Sequence, residues 1–260
     1  MSRIKACFDV VHKQRWLWLL PVVLSLGRLL LNMLLMGEWP LSGPGLQFRA
    51  TIPASIPEIG DMISPQQARL ASDSLGIFVL LLAVMLFKIF LSAGYLAGGM
   101  RALRGEPVDM PTFWADCQHF FKRVLLIGLL LLFAGTISLV VLAAIHPIVA
   151  LVAAFVAIIY LFFWEIAVVY EDLDLREGFT RGHTIMRAYL GEVTLLLIAI
   201  LSTSGIVSPL LNWLAQYYLG YLIAILIWSS IGASLFVAVI RCYCELVDRG
   251  VPDIPSNELV

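Results

Sequence analysis

Six apolar runs, each long enough to cross a lipid bilayer, occupy most of this chain. They lie near residues 16–36, 75–97, 124–145, 147–170, 190–211 and 218–241. A hydrocarbon core about 30 Å thick takes about 20 apolar residues of helix. Inside it a helix satisfies its own backbone polar groups and an open sheet edge does not. The expected fold is therefore all-α, a polytopic membrane bundle of six transmembrane helices in a single domain over residues 1–260. Composition agrees, with 61% hydrophobic and 13% charged residues, about half the charge of an ordinary soluble chain. The first run is too long for a signal-peptide core and is followed by no small-residue cleavage site, so it reads as an uncleaved helix.

The basic residues orient the bundle. Arg3, Lys5, Lys13 and Arg15 precede the first run. Arg101, Arg104, Lys122 and Arg123 lie between the second and third, Arg176, Arg181 and Arg187 between the fourth and fifth, and Arg241 and Arg249 after the sixth. Between the first and second lie only Arg49 and Arg69. Lys and Arg mark cytoplasmic flanks, so both termini are expected in the cytoplasm, in a bacterial plasma membrane. Trp16, Trp18, Trp114, Trp164 and Tyr170 fall at the inner interface, and Trp39, Trp213, Tyr217 and Tyr218 at the outer one. The net charge of −1 gives no bias toward nucleic acid, and sparse cysteines give no disulfide framework.

Three segments, Ser2–Arg15, Thr112–Arg123 and Leu175–Tyr189, mix basic and apolar residues at helical spacing and run directly into an odd-numbered span. They are expected as helices lying in the inner interface. The chain thus divides into three units, each an interfacial helix followed by a hairpin of spans. After span two comes Arg104-Gly105-Glu106-Pro107, and after span six Arg249-Gly250-Val251-Pro252. Glycine closes a helix and proline prevents its continuation. This similarity reflects either common helix punctuation or internal duplication. The external segment 37–74, with five prolines, is expected to cap the outer helix ends.

Arg28, Lys88 and Glu165 are the candidate binding residues. A charge within a span is costly unless it snorkels, pairs or meets water. Lys88 and Glu165 lie at similar depth in the cytoplasmic half, and a Lys88–Glu165 pair is expected, as a polar ligand site or as a structural tie. Gly94 and Gly98 form a GxxxG pair, expected to serve packing within the monomer. The serines and threonines of the fifth and sixth spans either line a polar path or bond the preceding turn. Glu171, Asp172 and Asp174 either hold Mg²⁺ or complement a helix dipole. Cys117 and His119 have no second pair at zinc-site spacing. No nucleophile elbow, phosphate loop, HExxH or nucleotide fingerprint is present. No cofactor, metal or catalytic residue is assigned.

Two stretches, GGMRALRGEPVDMPTFW after span two and EDLDLREGFTRGHTIMRAYLGEV before span five, resemble a group of bacterial multi-pass proteins. The group includes the membrane domain attached to glycerophosphodiester phosphodiesterases. The resemblance implies a six-helix bundle and a role near membrane lipids, with no catalytic residues to carry over. The soluble phosphodiesterase domain has no counterpart in these residues, so that activity is not implied.

The first functional reading is an accessory or scaffold component without catalysis. The alternative is a transporter or lipid-handling protein using the polar site around Lys88 and Glu165. An intramembrane enzyme is favoured only by Glu171–Asp174 and His183. Expected partners are membrane lipids and, for a scaffold, another membrane or cytoplasmic protein.

Overall fold

The computed structural model describes residues 2–36, 75–146, 149, 161 and 163–250. Eight helices are present among them: α1 (Ser2–Lys13), α2 (Arg15–Met36), α3 (Leu75–Leu103), α4 (Met110–Ile145), α5 (Trp164–Tyr170), α6 (Leu175–Ala188), α7 (Leu190–Leu214) and α8 (Tyr218–Asp248). No strand occurs among the described residues. The all-α expectation holds.

Among the described residues three helical stretches are long and apolar enough to cross a membrane: Leu82–Leu103, Leu190–Leu214 and Leu219–Asp248. The sequence reading expected six. In α2 the apolar stretch that qualifies is the shorter Arg15–Gly27. In α4 the side chains of residues 132, 134–143 and 145 are outside the description, and most of the expected fourth span and the 37–74 segment lie outside the described residues.

The interfacial segments are helical. The first is α1, the third is α6, and the second is the N-terminal part of α4, which continues into the apolar run without a break. A single residue, Gln14, separates α1 from α2, and Tyr189 alone separates α6 from α7.

The residues fall into two compact units. One comprises Met1–Lys88, Arg101–Asp109 and Leu196–Val239, the other Ile89–Met100, Met110–Leu195 and Ile240–Val260. In the first, Cys7, Val11 and Leu17 are buried along α1 and α2, and Ala224, Ala233, Phe236 and Val237 along α8. In the second, Ala93 and Tyr95 of α3, Cys117 and Ile127 of α4, Ala167 and Val168 of α5, and Ile185 and Met186 of α6 are buried. Gly94 belongs to this unit. A Cβ there would strike Cys117 Sγ and stand 3.0 Å from the Phe113 carbonyl oxygen. This residue therefore serves close packing within the chain.

Glycine closes α3 and α8 as its position in sequence suggests. Gly105 has φ +76° and Gly250 φ +78°, a left-handed conformation that costs a side chain about 1–2 kcal/mol. At the first, the Glu106 N–H reaches back to the Arg101 carbonyl at 3.0 Å, the long reverse bond of a Schellman helix end. The end of α5 repeats the device with a different residue. Leu173 N–H bonds the Val168 carbonyl at 3.2 Å, and Asp172 takes the left-handed position with φ +53°.

Each of these turns is held by the residue that opens its own hairpin. Gln14, just before α2, donates from Nε2 to the Glu106 carbonyl at 3.2 Å and accepts from the Val108 N–H at 3.5 Å. Arg123, at the start of the apolar run of α4, pairs through Nη1 with Asp172 Oδ1 at 2.5 Å. Tyr189, just before α7, donates its hydroxyl to the Gly250 carbonyl at 2.8 Å. Arg249 beside that turn also pairs with Glu192 of α7 at 2.8 Å. The three sequence units thus share a closing contact as well as an order of elements.

Candidate functional site

The richest polar arrangement lies where α5 turns into α6. The amphipathic spacing of α6 buries Gly178, Gly182, Ile185 and Met186, residues at i, i+4, i+7 and i+8 on one side of a helix. The two glycines let α6 lie directly on α5. A Cβ at Gly178 would strike the Val168 side chain, and one at Gly182 would stand 3.0 Å from the Phe163 carbonyl carbon and the Trp164 nitrogen. Trp164 Nε1 donates to the Leu175 carbonyl at 2.8 Å, tying the start of α5 to the start of α6. Its ring meets Phe179 edge-on at 5.3 Å, and Phe179 stacks on His183 at 6.1 Å. Asp174 is the N-cap residue of α6 without a side-chain cap bond, Glu177 lies in the first turn and Arg187 in the last. Those charges complement the helix dipole.

Glu171 closes α5 and collects two donors. Arg181 Nε lies 3.2 and 3.1 Å from its two oxygens, and the Tyr243 hydroxyl donates at 2.6 Å. The Tyr243 ring is fully buried, set edge-on to Phe163 at 5.2 Å and Tyr170 at 5.7 Å. Asp172 turns the other way, to Arg123 and to His119 Nε2 at 3.1 Å. A carboxylate only accepts, so that His119 nitrogen carries the proton. The Arg123 hydrogen bond first, and the His119 bond next, hold the Asp172 carboxyl below the usual carboxylate range.

The dipole expectation fits Asp174, at the N-cap of α6, and does not describe Glu171 or Asp172. The first two carboxylates are committed to arginine, tyrosine and histidine, and the third stands at the N-cap. Among the described residues no group of three or more His, Cys, Asp and Glu side chains is placed to hold a metal. Cys117 and His119 diverge, with Cys117 buried against Gly94 and His119 exposed beside Asp172. Burial pushes the Cys117 thiol up to about 11. None of the four cysteines forms a disulfide.

Between Glu171, Leu173 and the outer side of α6 runs an open groove of about 640 Å³, lined further by Arg176, Glu177, Thr180, Arg181 and Thr184. The sequence reading passed over the partners here. Arg181 and Tyr243 lie 10 and 72 residues from Glu171, and Arg123 lies 49 from Asp172. The available signal was the i, i+4, i+8 spacing of Arg176, Thr180 and Thr184. Asp116, buried at 7% exposure, also escaped notice.

Of the expected site residues, Lys88 is buried on α3 at 9% exposure and lies within a stretch able to cross a membrane. Glu165 is half-buried in the first turn of α5. Lys88 belongs to the first compact unit and Glu165 to the second. Arg28 lies on α2, and its side chain is outside the described residues. In α7 and α8, Thr203 and Ser234 donate to the carbonyls four residues earlier, both at 2.8 Å, as packing residues do. Ser204 differs, its hydroxyl oxygen being buried without a hydrogen-bond partner.

No protein-family model, curated protein or solved structure matches the chain.

Proposed function

We propose that this protein is a six-span component of the bacterial plasma membrane that holds partner molecules in place without catalysis, as an accessory or scaffold subunit with both termini in the cytoplasm. The observation that carries this reading is the use made of the polar groups around α5 and α6. Glu171, Asp172, Arg123, His119, Arg181 and Tyr243 pair with one another. A carboxylate–histidine set spent on closing the fold favours scaffolding over chemistry. The membrane setting is supported by the three long apolar helices. It is also supported by the outward-facing Leu195, Ile206, Leu210 and Leu219, all more than 60% exposed, a pattern that suits lipid and not water. Exposed Trp16, Trp114, Trp213 and Tyr217 suit the two interfacial belts.

Purification of the tagged full-length chain from native membranes in mild detergent, with quantitative mass spectrometry of what accompanies it, tests the reading. A protein partner present in constant ratio is expected. A chain that purifies alone and moves a solute across reconstituted vesicles would refute it. Reporter fusions test the topology, which requires both ends and the 110–123 and 175–189 segments on the cytoplasmic side.

The burial of Lys88 favours a second reading, a transporter or lipid-handling protein with an intramembrane polar site. Its residues are Lys88, Glu165 and Arg28. Single Lys88→Ala, Glu165→Gln and Arg28→Ala variants that fold but lose vesicle uptake would establish it, and uptake unchanged in all three would exclude it.

A further inference from the structure

The groove on the outer side of α6 contains two kinds of charge. Arg181 and Glu171 are engaged with each other, and Glu171 also with Tyr243. Arg176 and Glu177, both exposed and both lining the groove, have no ion-pair partner among the described residues.

The two threonines have a fixed polarity. Thr180 Oγ1 donates to the Arg176 carbonyl at 3.0 Å, and Thr184 Oγ1 donates to the Thr180 carbonyl at 2.7 Å. A hydroxyl has one hydrogen. With that hydrogen spent on the backbone, each threonine offers the groove lone pairs only. The polar side of α6 therefore presents donors at Arg176 and acceptors at Thr180, Thr184 and Glu177. Arg176 and Thr180 are four residues apart, just over one helical turn and about 6 Å along the axis.

A simple anion placed here would meet Glu177 and the threonine lone pairs. A simple cation would meet Arg176 and Arg181. The complement is a zwitterion with an anionic group and an N–H-bearing cation joined by a linker about one helical turn long. Phe179, 41% exposed, stands between Arg176 and Thr180 along the same helix and adds an apolar side chain to this stretch. We propose that the groove binds the head group of a phosphoethanolamine lipid, its phosphate on Arg176 and its ammonium on Thr180, Thr184 and Glu177. This rests on the membrane reading above. The N–H requirement sets the specificity, because a quaternary choline head group gives the threonine oxygens no hydrogen to accept.

The test is binding of short-chain phosphatidylethanolamine, phosphatidylcholine and phosphatidylglycerol to the full-length chain in mild detergent, counted by native mass spectrometry. Water-soluble glycerophosphoethanolamine serves as competitor. One phosphatidylethanolamine per chain is expected, at least tenfold tighter than either other lipid and displaced by the competitor. Arg176→Ala should weaken it at least tenfold. Thr180→Val with Thr184→Val should remove the preference over phosphatidylcholine. Arg176 and Glu177 are exposed, so Arg176→Ala and Glu177→Gln leave the fold intact, and an unchanged thermal midpoint checks this. Equal binding of the three lipids, or binding unaffected by Arg176→Ala and by the threonine pair, would overturn the proposal. Alkaline extraction of native membranes separates the two failures. A chain released into the soluble fraction defeats the membrane reading, while glycerophosphoethanolamine binding that depends on Arg176 still upholds the groove.

Discussion

Replacing Gly182 by alanine tests the contact on which the α5–α6 site is built. The added Cβ would lie 3.0 Å from the Phe163 carbonyl carbon, 3.0 Å from the Trp164 nitrogen and 3.1 Å from the Phe163 oxygen. These are backbone atoms, so no rotamer change relieves the crowding and α6 must withdraw by a few tenths of an ångström. That withdrawal loosens the burial of Ile185 and Met186, both at 0% exposure, and stretches the Trp164–Leu175 bond. Overpacking of this kind costs about 1–3 kcal/mol. Alanine in mid-helix recovers up to about 1 kcal/mol of that through propensity, leaving a net loss of about 0–2 kcal/mol. Gly191→Ala is the control, because nothing lies within 4 Å of its added Cβ. It gains the same helix propensity, up to about 1 kcal/mol, without the crowding, so the two variants should differ by the overpacking cost of about 1–3 kcal/mol. Thermal unfolding in detergent, followed by intrinsic fluorescence, compares the two. At about 2–4 °C per kcal/mol for a chain of this size, Gly182→Ala should unfold several degrees below Gly191→Ala. If it unfolds at the same temperature or higher, α6 does not lie on α5 as closely as the geometry of the site requires.

Glu171→Ala should cost about 1–3 kcal/mol, since it leaves the buried Tyr243 hydroxyl without an acceptor, whereas Asp172→Asn, at an exposed pair, should cost about 0–1 kcal/mol; the reverse order in thermal unfolding would refute the assignment. The Asp172 carboxyl is depressed in the folded chain, so its contribution is complete above the unfolded carboxylate value, near pH 4, and is lost as pH falls through the lower folded value. The wild-type advantage over Asp172→Asn should therefore shrink in acid, and an advantage that stays constant down to pH 2 would contradict the pairing. With its thiol raised to about 11 by burial, Cys117 should resist maleimide at pH 8 while half-buried Cys242 and Cys244 react, as peptide mass spectrometry would show; equal labelling would refute it. Tyr189→Phe should destabilise by about 0.5–1.5 kcal/mol and Gly250→Ala by about 1–2 kcal/mol because of its left-handed φ, and midpoints unchanged in both would remove the closing contact of the third unit.

What was legible in the sequence was whatever depends on neighbours along the chain. Helical spacing gave α1, α6 and the start of α4. The Gly–x–Pro pattern gave the ends of α3 and α8, because a left-handed residue followed by proline is a local requirement. The end of α5 was missed for the same reason. Asp172 takes the left-handed position that glycine takes elsewhere, and an aspartate reads first as a charge. Its selection makes sense only with Arg123 and His119 beside it, and neither is local. Glu171 likewise reads as part of an acidic run until Arg181 and Tyr243 are placed on it. The GxxxG pattern at Gly94 pointed correctly to close packing, whereas Gly178 and Gly182 have the same spacing in a more polar helix and drew no notice. Lys88 stands out in sequence from its apolar surroundings, and its side chain is buried.

The three closing contacts bear on whether the sequence units are copies of one another. Helix punctuation alone accounts for Gly105 and Gly250, since any helix that must stop favours such a residue. Adjacent hairpin ends account for some contact between the start and finish of each unit. The partner of each left-handed turn lies near the start of an apolar run but not at one register: Gln14 stands two residues before the first run, Arg123 and Tyr189 immediately before the third and fifth. These side chains are an amide, a guanidinium and a phenol, so selection for one kind of bond did not place them. The closures differ in chemistry as well as in register. The first and third close through hydrogen bonds to backbone, with the ion pairs Arg101–Glu106 and Arg249–Glu192 beside them, while the second closes between side chains, a carboxylate with a guanidinium and an imidazole.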